Sequence, residues 1–206
     1  MPAVDDISEC IRHLGDPDPR DRAEFALRLY RAGSELCRPL LDQWKTDPEF
    51  RDLGRTFTSA ARHKTDQENP AIVVGIAVKP DHFERIRVAN DSPRLANVPA
   101  EQGTKEFELH FKNHVALDIL TAGDRGGTGP LARFLEKFGE GIQQVEVYVR
   151  DVDRATEILR TKFGLEPVYR STRAGADGTR VNFFLTPTPE GKKVLIELVE
   201  PEVSSL

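Results

Sequence analysis

The chain has 206 residues, of which 38% are hydrophobic and 31% charged, with a formal net charge of -5 at pH 7. That is enough apolar material for one large domain, or for a small domain joined to a middle-sized one. Acids and bases interleave, as in Arg20-Asp21-Arg22 and Arg150-Asp151-Val152-Asp153-Arg154, which argues against the clustered basic surface of a nucleic-acid binder.

The N-terminus, Met-Pro-Ala-Val-Asp-Asp, lacks the basic start and apolar core of a signal peptide. No apolar run approaches the roughly 20 residues that cross a bilayer, so a cytoplasmic protein without a membrane partner is expected. Val4, Ile7, Ile11 and Leu14 recur at helical spacing, and Gly15-Asp16-Pro17-Asp18-Pro19 ends that helix. Asp18 then caps a second helix with Pro19 in its first turn, carrying Ala23, Phe25, Ala26, Leu29 and Tyr30 on one face. Ala32-Gly33-Ser34 punctuates again, and Leu36, Leu40, Leu41 and Trp44 line a third helical segment. The two cysteines, Cys10 and Cys37, fall in separate helices and are expected as buried free thiols. The run from Leu14 to Leu27 resembles one unit of a HEAT repeat. It occurs once, whereas an array needs several stacked units. Residues 1–50 are therefore expected to form a helical appendage, with protein docking as their functional reading.

Residues 51–70 are polar and read as a linker. Ile72 to Val78 is then a short β-branched strand, followed by a short helical stretch from Asp81 to Arg87. Phe107, Leu109 and Phe111 alternate with Glu106, Glu108 and His110, as in a strand with one buried face. Val115 to Leu120 is another apolar strand, Gly123 to Gly129 a glycine-rich connector without the Gly-Lys-Ser/Thr ending of a phosphate loop, and Leu131 to Phe138 a helix. Strands follow at Val145–Val149, Val168–Thr172, Val181–Leu185 and Val194–Val199, with a helix from Asp153 to Lys162 after the first. Residues 71–122 and 141–201 can be read as two modules of the same order, side by side, enclosing a cleft. The expected class is α+β, with paired βαβββ modules behind a small all-helical N-terminal domain.

Gly129-Pro-Leu-Ala-Arg-Phe-Leu-Glu-Lys-Phe-Gly-Glu-Gly-Ile, Gly175-Ala-Asp-Gly-Thr-Arg-Val, Val194-Leu-Ile-Glu-Leu-Val-Glu-Pro and Val98-Pro-Ala-Glu-Gln-Gly-Thr-Lys-Glu-Phe together resemble the vicinal oxygen chelate superfamily, the glyoxalase and bleomycin-resistance fold. Within it they look most like methylmalonyl-CoA epimerases, over residues 71–201. The resemblance implies a divalent metal held by a His from the first strand and a Glu or Gln from the last strand of each module, with carboxylates moving a proton next to a carbonyl. Carried onto this sequence, the histidine places fall on Val73 and Gln144, the last-strand places on Asp118 and Glu197, and the acid/base glutamate on Glu106.

Val73 offers no ligand atom. The remaining set, Asp118, Gln144 and Glu197, is all oxygen and suits Mg²⁺, Mn²⁺ or Ca²⁺ better than Zn²⁺. The expected activity is that of an epimerase, isomerase or lyase acting on a carbonyl compound or acyl-thioester, with Glu106 and Glu197 as acid/base and the metal site weakened or lost. The alternatives are a non-catalytic module binding a small molecule in the same cleft, and a scaffold whose N-terminal helices dock a protein. A homodimer is implied by family analogy alone. His110 and His114 read as surface histidines.

Overall fold

The computed structural model describes residues 4–55, 72–123, 129–187 and 193–201. Its element order is α1 (Val4–His13), α2 (Pro19–Trp44), α3 (Pro48–Arg55), β1 (Ile72–Ala77), α4 (Pro80–Ala89), β2 (Thr104–Phe111), β3 (Val115–Ala122), α5 (Pro130–Phe138), β4 (Gly141–Tyr148), α6 (Val152–Phe163), β5 (Arg173–Ala174), β6 (Arg180–Pro187) and β7 (Lys193–Glu200). The seven strands form one curled sheet in the order β2-β3-β1-β4-β7-β6-β5.

An approximate two-fold relates its halves. β1 runs parallel to β3, β4 runs parallel to β7, and β1 and β4 meet antiparallel at the centre. Gly75 lies beside Asp118 in one parallel pair, and Glu146 lies beside Glu197 in the other. These are therefore corresponding places, and so are Val73 and Gln144. A β-bulge where Gly75 and Ile76 face Gln144 and Ile142 leaves Gln143 as the extra residue.

The expected strand at Val168–Thr172 is not formed. That segment runs irregularly beside β6, with the Val168 amide donating to the Phe183 carbonyl at 2.7 Å, and regular pairing begins only at Arg173. The first module does the same. Its 91–103 segment is irregular and approaches β2 through the Ala96 amide, which donates to the Glu106 carbonyl at 2.9 Å. The residues expected in the connectors at 124–128 and 188–192, and most of the expected linker, lie outside the described residues. The described start of that linker is not loop but the second half of α3.

Alternation sends Ile72, Val74 and Ile76 of β1 to the outer face with Leu117, Ile119, Val145, Ile196 and Leu198. There they share one hydrophobic core with Cys10, Ile11, Leu14, Leu29 and Trp44 from the helices. The interruption expected at 32–34 does not occur, and α2 continues for 26 residues. The reason is packing. A Cβ on Gly33 would come within 2.5 Å of the Val74 side chain, so glycine lets the helix lie directly on β1. Helix α3 is anchored in turn to α6. Arg154 donates to both Glu49 carboxylate oxygens at 2.5 and 2.7 Å, and Lys162 to Asp47 at 2.6 Å. Cys10 and Cys37 are buried free thiols.

Candidate functional site

The inner face of the curl encloses a cavity of about 800 Å³. β2 contributes Glu106 and Glu108, β3 Asp118 and Leu120, β4 Gln144, Glu146 and Tyr148, and β7 Glu197. Each pair or triplet is spaced by two, so the pleat aims it at the same face. Helix α5 closes one end, where Leu131 packs on Ala77 and Leu120. The irregular segments of the two modules meet at the mouth. Arg94 donates to both Asp177 oxygens at 3.0 and 2.7 Å, the Asn97 amide donates to Asp177 at 2.9 Å, and the Gln102 amide donates to the Ala174 carbonyl at 3.0 Å.

All four residues singled out from the sequence, Glu106, Asp118, Gln144 and Glu197, line this one cavity. Gln144 donates its amide to Glu197 at 2.6 Å. It has room because Gly75 faces it, where a Cβ would come within 2.5 Å of the Gln144 Cγ and 3.1 Å of Leu120. His110 also reaches the cavity and bonds Glu108 at 2.8 Å, an interaction that raises the imidazole's pKa.

Sequence reasoning missed Glu146 and Tyr148. Glu146 is buried, pairs in register with Glu197, and lies 3.5 Å from the Tyr148 hydroxyl, which also approaches Glu108 at 3.4 Å. The signal was present, since Gln144, Glu146 and Tyr148 alternate along one strand and must share a face.

Burial and mutual repulsion raise the affinity of these carboxyls for protons. Burial, then the charges of Glu108 and Asp177, pushes Glu106 to about 7. Burial and Glu106 push Glu197 to about 8, against the opposing hydrogen bond from Gln144. Asp118 and Glu146 are raised well above the ordinary carboxylate range, first by burial and then by the neighbouring acids. Asp118 is 4% exposed, and its Oδ1 is buried with no hydrogen-bond partner.

Among solved structures, methylmalonyl-CoA epimerase from Mycobacterium tuberculosis is 30% identical to this chain, covering 68% of this chain and 93% of that one with a TM-score of 0.53. The chain belongs to the vicinal oxygen chelate superfamily, in the family of methylmalonyl-CoA epimerase. A hypothetical protein from Bacillus halodurans C-125 shares the fold at 22% identity, with 68% of this chain and 99% of that one covered and a TM-score of 0.54. So does a variant of the Streptomyces coelicolor epimerase in complex with 2-nitronate-propionyl-CoA, at 24% identity, 66% and 99% coverage and a TM-score of 0.51. No family model and no curated protein sequence matches the chain.

The family implies a divalent cation, and the donors here do not preassemble a site for one. The histidine places hold Val73 and Gln144, and the Gln144 amide nitrogen is turned onto Glu197. Among the described residues, no three His, Cys, Asp or Glu side chains converge as a metal-binding group. The chemistry that these residues can perform unaided is proton transfer between carboxyls.

Proposed function

We propose that this protein is an acid/base enzyme of the epimerase type, moving a proton at a carbon next to a carbonyl or thioester. The observation that carries the reading is that Glu106 and Glu197 stand on different modules of one cleft, both shifted towards neutrality. Exchanging a proton between the two faces of a carbon needs a base on one side and an acid on the other, each near the working pH.

Glu106, ionised, takes the α-proton, and the C–H electron pair moves into the carbonyl to give an enolate. Glu197, neutral, delivers its proton to the opposite face as that electron pair returns to carbon. The configuration inverts, leaving Glu106 protonated and Glu197 ionised. The reverse reaction runs through the same pair with the roles exchanged. Neutral carboxyls on the floor can donate hydrogen bonds to the enolate oxygen.

The test is deuterium wash-in at the α-carbon of acyl-thioesters in D₂O, followed by mass spectrometry. Glu106→Gln and Glu197→Gln should each slow exchange by about 10²–10⁴-fold, the usual range for a positioned acid or base. Exchange that both variants leave unchanged would sink the mechanism. A second reading is favoured by the 2.6 Å bond from Gln144, which occupies one oxygen of Glu197. Under it the cleft binds its ligand without turnover, and the same assay would show saturable binding with no exchange.

A further inference from the structure

The cleft is strongly unbalanced in charge. Seven acids line it, Glu101, Glu106, Glu108, Asp118, Glu146, Asp177 and Glu197, against two arginines and His110, which bonds Glu108. Both arginines are at the mouth and already engaged: Arg94 holds Asp177, and Arg173 stacks 4.2 Å from the centre of the Tyr169 ring. Among the described residues, no lysine or arginine pairs with Asp118, Glu146 or Glu197, and Asp118 Oδ1 has no partner at all. The wall beside them is aromatic, formed by Tyr148, Tyr169 and Phe183, with Tyr169 and Phe183 edge to face at 5.9 Å.

An acid cluster alone need not be a site. Here a second feature points the same way, a carboxylate oxygen buried and unpartnered in the cavity. A buried polar atom with no partner costs free energy that a donor or cation recovers on binding. Burial and mutual repulsion favour the protonated forms of Asp118 and Glu146. A bound cation would favour their ionised forms, whereas the charge of a dicarboxylic acyl-thioester would disfavour them further.

From the orphaned Asp118 oxygen, the neighbouring Glu146 and Glu197 that no lysine or arginine among the described residues neutralises, and the aromatic wall, we infer that the cleft takes a small organic cation, an amine or quaternary ammonium. Its charge lies over Asp118 and Glu146 and its apolar body lies against Tyr148, Tyr169 and Phe183. Aromatic faces attract such cations as carboxylates do, and the attraction grows when water is displaced. The inference rests on the proposed function only in sharing its cleft, and it names the substrate class as a carbonyl compound bearing a positive group. In that role the ligand's own charge takes the place that a divalent ion has in the family. It also acidifies the α-proton.

The experiment is equilibrium binding to the full chain at low ionic strength, by calorimetry or saturation-transfer NMR. The probes are choline, its uncharged isostere 3,3-dimethylbutan-1-ol, and the anion 3,3-dimethylbutanoate. Choline should bind saturably, the isostere at least about tenfold more weakly, since only charge separates those two, and the anion, with a carboxylate in place of the hydroxymethyl group, not at all. Asp118→Asn should weaken choline about tenfold and Glu84→Gln on α4 should leave it unchanged. A thermal melt of each variant confirms folding.

Equal binding of choline and its isostere would overturn the proposal, as would preference for the anion. Stoichiometric Mn²⁺ binding that excludes choline and needs both Asp118 and Glu197 would also overturn it, in favour of a metal. Binding is read without turnover, so cation binding with no deuterium exchange would count against the proton-transfer reading alone. Exchange with no cation binding would count against this one alone.

Discussion

On its outer face the sheet presents Val74, Ile119, Val145 and Ile196 to a helical cover, and on its inner face the same four strands present Gly75, Asp118, Gln144 and Glu197, the last three of which line a cavity. Each inner residue is next in sequence to an outer one. The outer set is close-packed and apolar, and contributes stability in proportion to the area it hides from water. The inner set buries carboxyls whose ionisation is suppressed, and so works against stability. The N-terminal helices α1, α2 and α3 belong with the outer face. They are not set apart from the sheet but complete its core, with Trp44 fully buried and edge-on to Phe50 at 5.6 Å.

If the faces divide the work in this way, damage to one should spare the other. The largest effect is expected from Trp44→Ala, which should lower unfolding free energy by about 3–5 kcal/mol, as large-to-small core changes do. Urea melts would measure it, and the folded fraction should bind a cleft ligand with unchanged affinity. A loss of affinity without unfolding would break the division. Next comes pH. Glu106 and Glu197 have folded-state values of about 7 and about 8, above the roughly 4.3 of an unfolded glutamate. Between those limits the folded chain holds more protons than the unfolded one. Stability should therefore be greatest near pH 4.5 and fall as pH rises to 8, with a slope on the order of 1 kcal/mol per pH unit for each group. Melting temperatures across that range, with no divalent ion added, would read it. A flat profile would mean that the inner carboxyls are not strained by burial.

The strand pattern was legible because period-two alternation is written directly into segments such as 106–111, and the paired modules followed from their order. The site was legible in part. Glu106, Asp118, Gln144 and Glu197 all reach one cavity, whereas Glu146 corresponds to no ligand or acid/base place in the family resemblance and is marked only by the strand's period-two alternation with Gln144 and Tyr148. Three structural features had weaker signals. The continuity of α2 through Gly33 depends on Val74, 41 positions away in the chain, so local composition reads a packing glycine as a breaker. The Val168 segment has a strand's composition but bonds β6 through an isolated contact rather than a ladder. The N-terminal helices gave no local hint of what they would cover.

Gly75 is where the two faces meet, and Gly75→Ala should cost about 1–3 kcal/mol, the range for an overpacked methyl. The added Cβ would displace Gln144, so the variant should also free Glu197 from its hydrogen bond. Faster α-proton exchange in a less stable protein would separate the two effects, and unchanged stability would show that the Gln144 side chain moves aside freely.

The smallest expected effect has the opposite sign. Asp118→Asn keeps the shape and removes the ionisable group that burial and four neighbouring glutamates disfavour. Burial raises the affinity of the folded Asp118 for its proton, so above the pH range in which an unfolded aspartate titrates, folding carries a cost that asparagine lacks. The variant should therefore be more stable than the parent at pH 8, by about 1 kcal/mol. At pH ~3 the unfolded aspartate is itself largely protonated, and the two melting curves should converge. A variant that is less stable at both pH values would mean that Asp118 makes a favourable contact as an anion, which would return a bound inorganic cation to the centre of the cleft.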